Sequence, residues 1–139
     1  MTKKSGINLK VKKLDVKEDS RGSFFEVLRP EDLSKIDLGQ ISFTTARPGE
    51  TKGHHFHNRK TEWFCVVKGK GLLIVVNDNT GERKEFIMGE DNMVAIEIIP
   101  PFPHAIKNIG DNDMHVLLYV DEPFNSEDPD TFPYIIEIE

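Results

Sequence analysis

The stretch GETKGHHFHNRKTEWFCVVKG, residues 49 to 69, carries histidines at 54, 55 and 57 and a glutamate at 62. In an extended chain residues two apart face the same way, so His55 and His57 present their imidazoles side by side while His54 and Phe56 point to the opposite face. On the following strand the same parity groups Glu62 with Phe64 and Val66, and sets Trp63, Cys65 and Val67 against them. With Glu62 turned inward beside the two histidines, Phe64 and Val66 form its apolar floor. A further donor must come from far along the chain, and His104 in IIPPFPHAIKN, opening a strand after a proline-stiffened turn, is the candidate. The set His55, His57, Glu62 and His104 supplies three imidazoles and one carboxylate. Those donors suit Zn, Fe, Mn, Ni or Cu and do not choose among them. A His-x-His pair alone is a weak signal, and any one of these histidines is more often a surface or hydrogen-bonded residue than a ligand. The combination with a glutamate and a remote histidine is what singles this set out. His54 and His115 read as exposed or structural, and Trp63 and Cys65 as packing residues.

Short strands must position these groups. The apolar pattern has period two almost throughout, in runs separated by Gly, Pro, Asn and Asp, which is the signature of an all-β sandwich or barrel. Strands are expected over residues 7 to 14, 23 to 29, 39 to 46, 61 to 68, 71 to 77, 83 to 88, 92 to 99, 114 to 120 and 134 to 138. The KGKG, NDNTG and NIGDND segments supply the Gly and Asn that tight turns need. Only PEDLSKIDL, 30 to 38, reads as briefly helical, with Pro30, Glu31 and Asp32 suited to a first turn. The acidic segment DEPFNSEDPDTFP, 121 to 133, is an irregular loop long enough that it should be functional or cover something.

At 139 residues the chain has the length of one domain, so a single unit over 1 to 139 is expected. Its 24 acidic and 18 basic residues give a formal charge of −6, with Lys and Arg scattered, which argues against nucleic acid or an anionic membrane as the main partner. One cysteine, Cys65, excludes an internal disulfide framework. The N-terminal MTKKSGINLK has no apolar run behind its basic residues, and no segment is long and apolar enough to span a bilayer, so the expectation is a cytoplasmic protein.

The spacing from Gly49 onward is Gly, five residues, His55, one residue, His57, four residues, Glu62, six residues, Gly69. This resembles the first cupin motif at every fixed position. In the second motif His104, three residues, Asn108 fit, while Pro101 stands where a glycine is usual. The resemblance implies an all-β cupin, a double-stranded β-helix or jelly-roll barrel. A narrower resemblance covers the chain from about Asp19 onward. DSRGSFFEVLR looks like the opening D-x-R-G-x-F-x-E of the dTDP-4-dehydrorhamnose 3,5-epimerase superfamily. The histidine stretch, together with HAIKNIGDNDMHVLLYVDEPFNSEDPDTF, resembles the C-terminal cupin domain of the bifunctional capsular polysaccharide enzymes that make UDP-N-acetyl-fucosamine. In those enzymes a reductase domain precedes a zinc-bearing cupin that epimerises a UDP-4-keto-6-deoxy sugar at C3.

The resemblance therefore implies a nucleotide-sugar epimerase of surface polysaccharide biosynthesis, acting on a UDP- or dTDP-4-keto-6-deoxy sugar. A 4-keto group acidifies C3–H, so the chemistry needs a base, a means of holding an enolate and a proton donor on the opposite face. Zinc is the implied metal, with Fe, Mn and Ni open. His55 aligns both with a metal ligand and with the histidine base of the metal-free epimerases, which have R-G-x-H-x-Q where this chain has Lys52, Gly53, His54, His55, Phe56 and His57. A metal-bound histidine cannot also be a free base. His57 in place of the glutamine favours the metal, and Lys60 and Tyr119 are then the candidate bases, although Tyr119 also reads as a core residue. By the same resemblance Arg21 would contact the diphosphate, Phe24 and Glu26 the nucleobase, and Lys52 a phosphate, more loosely than an arginine would. Their structural alternatives are an exposed salt bridge for Arg21 and a solvent-facing strand position for Glu26. Competing functions are a keto-sugar 3,4-isomerase, a metal-dependent cupin dioxygenase and a non-catalytic sugar-binding cupin. Cupins commonly dimerise at a barrel edge, and the early strand at 7 to 14 would suit a homodimer.

Overall fold

The structure is a computed structural model that describes residues 6 to 34 and 39 to 138. Its strands are Val11–Lys13 (β1), Lys17–Asp19 (β2), Gly22–Phe24 (β3), Gln40–Ala46 (β4), Thr51–Phe56 (β5) and Glu62–Lys68 (β6). The second half adds Lys70–Val76 (β7), Arg83–Gly89 (β8), Val94–Ile98 (β9), His104–Asn108 (β10), Met114–Val120 (β11) and Phe132–Pro133 (β12). Two five-stranded antiparallel sheets, ordered β1-β9-β6-β11-β4 and β12-β5-β10-β7-β8, build the barrel, and β2 and β3 form a separate hairpin. This is the expected all-β cupin architecture.

Parity along the strands explains why the central ones are apolar on both faces. Phe64 and Val66 of β6, Ile96 and Ile98 of β9 and Val116 of β11 turn inward to meet Leu73, Val75, Met88 and Ile106 of the facing sheet. The alternate residues Trp63, Cys65 and Ala95 face outward and are roofed by Leu14 and by Phe25, Val27, Leu28 and Leu33. On the other sheet Ile74 and Ala105 are covered by Ile136, Tyr134 and Ile138. Each of the larger aliphatic side chains so buried contributes about 1.5–3 kcal/mol. The two segments flanking the barrel thus act as lids on its outer faces.

Several expected elements are shorter than their apolar pattern. Of 7 to 14 only Val11–Lys13 is a strand, β1, paired with β9 and prolonged by single backbone hydrogen bonds at Lys10 and Leu14; of 23 to 29 only Ser23 and Phe24 fall within a strand, β3. Residues 134 to 138 are not a strand: β12 ends at Pro133, one further backbone hydrogen bond joins Tyr134 to His54 of β5, and the remaining residues pack as a lid. The helical expectation at 30 to 38 reduces to a single 3-10 turn, Pro30–Asp32, and its residues 35 to 38 lie outside those described. Among the described residues no helix is long and apolar enough to cross a membrane.

Candidate metal centre

His55 lies near the end of β5, His57 just beyond it, Glu62 at the start of β6 and His104 at the start of β10. Residues His55 and His104 are direct partners across the β5–β10 ladder. Ala105 pairs with Gly53, so His54 is the extra residue of a bulge. The backbone is left-handed at both Gly53 (φ +102°) and His54 (φ +58°). A Cβ at position 53 would lie 3.0 Å from the His104 carbonyl oxygen, so glycine lets β5 and the His104 strand close up at the site. The bulge turns His54 away: its Nδ1 accepts the Ile136 N–H at 3.1 Å and its carbonyl accepts the Tyr134 N–H at 2.7 Å. His54 is thus structural, tying down the C-terminal lid. His115 packs against Phe43 on the outer face, 5.6 Å between ring centroids.

The four expected ligands converge. Their donor atoms all lie within 4.8 Å of one another, and the His55 ring sits 5.0 Å from that of His57 and 4.9 Å from that of His104. His57, Glu62 and His104 are buried and His55 is half-buried. Phe64 packs edge-on against His104 at 5.6 Å and forms the apolar floor that strand parity predicts. Two rings are oriented by backbone carbonyls: His57 Nδ1 donates to Asp130 at 2.6 Å and His104 Nδ1 to Phe102 at 3.0 Å. Committing Nδ1 in this way turns each Nε2 inward. His57 Nε2 meets Glu62 Oε1 at 2.8 Å. His104 Nε2 lies 3.0 Å from the same oxygen but off hydrogen-bond geometry, and is buried without a hydrogen-bonding partner among the described residues.

Electrostatics agree with that geometry. Burial, reinforced by the neighbouring His104, lowers the His55 pKa to about 4, so the ring is neutral at neutral pH and offers a lone pair. Burial alone would raise the pKa of Glu62, but its contacts with His104 and His57 outweigh that and hold the carboxyl well below its ordinary range. Burial likewise works against a charged His57, and the hydrogen bond to Glu62 overcomes it and raises its pKa. An orphaned buried Nε2, a neutral imidazole and an ionised carboxylate around one point are donors that fit a divalent cation.

A cavity of about 250 Å³ opens above the cluster, with Gln40, Ser42, Leu118, Val120, Glu122, Phe124 and Thr131 on its walls. Lys60 also lines it: the side chain is buried, Nζ donates to the Pro129 carbonyl at 3.0 Å and sits 5.7 Å from the centre of the Phe124 ring. Tyr119 is not brought to the site. Its neighbours Leu118 and Val120 face the cavity, so Tyr119 points to the outer face of β11, where it packs with Trp63 and borders an apolar cleft of about 470 Å³. That cleft is larger but holds none of the donor residues.

The remaining expected substrate residues also lie outside the cavity. Arg21, in the β2–β3 turn, pairs with Asp19 at 2.7 Å, and Phe24 is exposed. Glu26 pairs with Arg29 at 2.9 Å, and Lys52 Nζ donates to Thr44 Oγ1 at 2.6 Å. The important residue that the spacing did not reveal is Asp130, which touches His57 through its backbone. The only signal was the length and acidity of the loop that contains it.

Residues 17 to 132 match the family described as the polysaccharide biosynthesis C-terminal domain. The chain is 40% identical over 114 residues to the UDP-2-acetamido-2,6-beta-L-arabino-hexul-4-ose reductase of Pseudomonas aeruginosa. That match takes in 82% of this chain and 29% of the relative, so the chain spans under a third of that protein. Among solved structures, the capsular polysaccharide assembling protein CapF of Staphylococcus aureus superposes with a TM-score of 0.70 at 36% identity, over 88% of this chain and 34% of that one. The dTDP-4-dehydrorhamnose 3,5-epimerase of Sulfolobus tokodaii shares the fold, with a TM-score of 0.79 at 23% identity over 99% and 85% of the two chains. The barrel therefore has the same fold as that protein, and the chain belongs to the polysaccharide biosynthesis C-terminal domain family.

Proposed function

We propose that this chain is a metal-dependent nucleotide-sugar epimerase, which inverts C3 of a UDP- or dTDP-4-keto-6-deoxy sugar during polysaccharide biosynthesis. The observation that carries the reading is the convergence of His55, His57, Glu62 and His104, with donor atoms within 4.8 Å, beside a cavity that the first three of them line. These four residues would hold a divalent ion, zinc foremost, which supplies Lewis acidity toward the ketone. His55 is then a ligand and unavailable as a free base. It takes the base role only in a metal-free enzyme.

The chain's own groups divide the remaining work. Lys60 Nζ reaches the cavity wall and is the side chain placed to exchange a proton with the C3 carbon or its neighbouring oxygen. Leu118, Val120 and Phe124 keep the reacting face apolar and short of water, while Gln40, Ser42 and Glu122 offer polar contacts to sugar hydroxyls. Tyr119 has no part in this scheme, since it faces the other side of the sheet. The diphosphate and base would be held by Arg21, Phe24, Glu26 and Lys52. In the isolated chain these groups are exposed, which supports a homodimer as the working unit, with β1 as an open sheet edge available to it. A nucleotide-sugar substrate goes with a cytoplasmic location.

The test is incubation with a UDP-4-keto-6-deoxy sugar in D2O. Deuterium at C3 of the recovered sugar, with inverted product, is expected. A protein carrying its full complement of metal that leaves C3–H unexchanged is not an epimerase of this class.

A further inference from the structure

We infer that Asp130 is the positioning residue of the metal centre, a single loop residue that sets both the orientation of His57 and the shape of the turn carrying the chain to Glu62. The inference rests on the metal-binding reading of the cluster. Asp130 is only 2% exposed, although it belongs to a loop that is otherwise largely in solvent. Its carboxylate is directed inward at the backbone: Oδ1 accepts the Asn58 N–H at 2.9 Å, and Oδ2 accepts those of Arg59 at 2.9 Å and Lys60 at 3.1 Å. Three successive amides of the β5–β6 turn are thereby satisfied by one side chain from 70 or more residues away.

The backbone of the same residue does the second job. Asp130 is left-handed (φ +48°), and its carbonyl accepts the His57 Nδ1 proton at 2.6 Å. Few residue types combine a tolerated positive φ with a short acceptor side chain; Asp and Asn are the ones that do. The conformation lets carboxylate and carbonyl point to the same turn at once. With Nδ1 engaged, Nε2 of His57 is left to face Glu62 and the other donors. The neighbouring acids behave differently: Glu122 and Asp128 pair with Arg59 near the surface, at 2.8 and 3.2 Å, and touch no ligand ring. Those pairs hold the loop down, whereas Asp130 reaches the ring itself.

Three variants of the full chain, Asp130→Ala, Asp130→Gly and Asp130→Asn, separate the two jobs. The readouts are zinc affinity by chelator competition, thermal unfolding, and the 1H–15N resonance of the His57 Nδ1 proton. We expect Asp130→Ala to weaken zinc binding by about 10–100-fold, the range typical of residues that orient a metal-ligating histidine, and to abolish the slowly exchanging Nδ1 proton. Asp130→Gly permits the left-handed backbone but removes the carboxylate that pins residue 130, and with it the carbonyl, against the Asn58–Lys60 turn, so it should lose both affinity and Nδ1 protection to a similar extent. Asp130→Asn, which keeps both φ and one acceptor, should recover part of it. If the alanine variant does not fold, the glycine and asparagine variants carry the comparison. Zinc affinity within about twofold of wild type together with an intact Nδ1 proton in the glycine variant would overturn the proposal. If wild-type protein binds no zinc, the metal reading fails. The Nδ1 resonance still decides the role of Asp130, since loss of its protection in the glycine variant supports positioning and its persistence refutes it.

Discussion

The metal-ligand cluster and the β2–β3 hairpin stand at opposite ends of one scale. In the cluster the side chains of His57 and Glu62 are each 8% exposed and that of His104 1%, and backbone carbonyls hold two of the three rings in place. In the hairpin Arg21 is 89% and Asp19 53% exposed, and the ion pair between them is of the solvent-facing kind that contributes little. Both regions carry charge, yet only one has its geometry determined by the fold. The cluster gathers four donor atoms within 4.8 Å of one another, and desolvation makes its electrostatics strong. The hairpin lines only an open, solvent-facing groove of about 400 Å³, so a binding geometry there would need a ligand or a second copy against it.

The largest expected effect lies at the buried end. His104→Ala should remove stoichiometric metal, with an affinity loss exceeding the roughly 10–100-fold seen when an orienting partner is lost, and C3 exchange should vanish with it. Retention of one ion per chain in that variant, by metal analysis, would show that the ligand set is wrong. Next, Lys60→Met should leave metal content unchanged and lower the C3 exchange rate by about 10²–10⁴-fold, the usual range for a general acid or base. A rate near wild type would return the proton-transfer role to another group. At the exposed end, Arg21→Ala should raise KM for the nucleotide sugar by about tenfold, as for a charged hydrogen bond, without moving the melting temperature. A lowered melting temperature with unchanged KM would make the hairpin structural. The smallest effect is expected from Tyr119→Phe, with kcat and metal content changed by less than about twofold, as for a change away from the chemistry.

Much of the cluster was legible because strand parity is a short-range rule. His55 and His57 share a face by counting, Glu62 shares one with Phe64 and Val66, and the bulge at His54 falls before this register and leaves it intact. Parity alone left Tyr119 undecided on β11, because the face it shares with His115 and Leu117 mixes polar and apolar side chains. Tyr119 was therefore open between core and chemistry, and the packing of Trp63 and Leu14 on the outer face places it. Asp130 escaped because its contacts run from carboxylate to backbone amide and from carbonyl to imidazole. Neither leaves a residue spacing to recognise. The flanking segments 23 to 29 and 134 to 138 have the alternation of strands, but their apolar residues are used to roof the sheets rather than to extend them.

Dependence of epimerisation on an ion held by His55, His57, Glu62 and His104 is the decisive point. It is tested most directly by measuring C3 deuterium incorporation into a UDP-4-keto-6-deoxy sugar with protein as purified, stripped by chelator, and reloaded with zinc in graded amounts. Exchange that falls on stripping and returns in proportion to the ion bound, reaching its full value at one per chain, is the predicted result. Exchange that persists undiminished in the stripped protein would exclude a metal-dependent reaction and make His55 a free base.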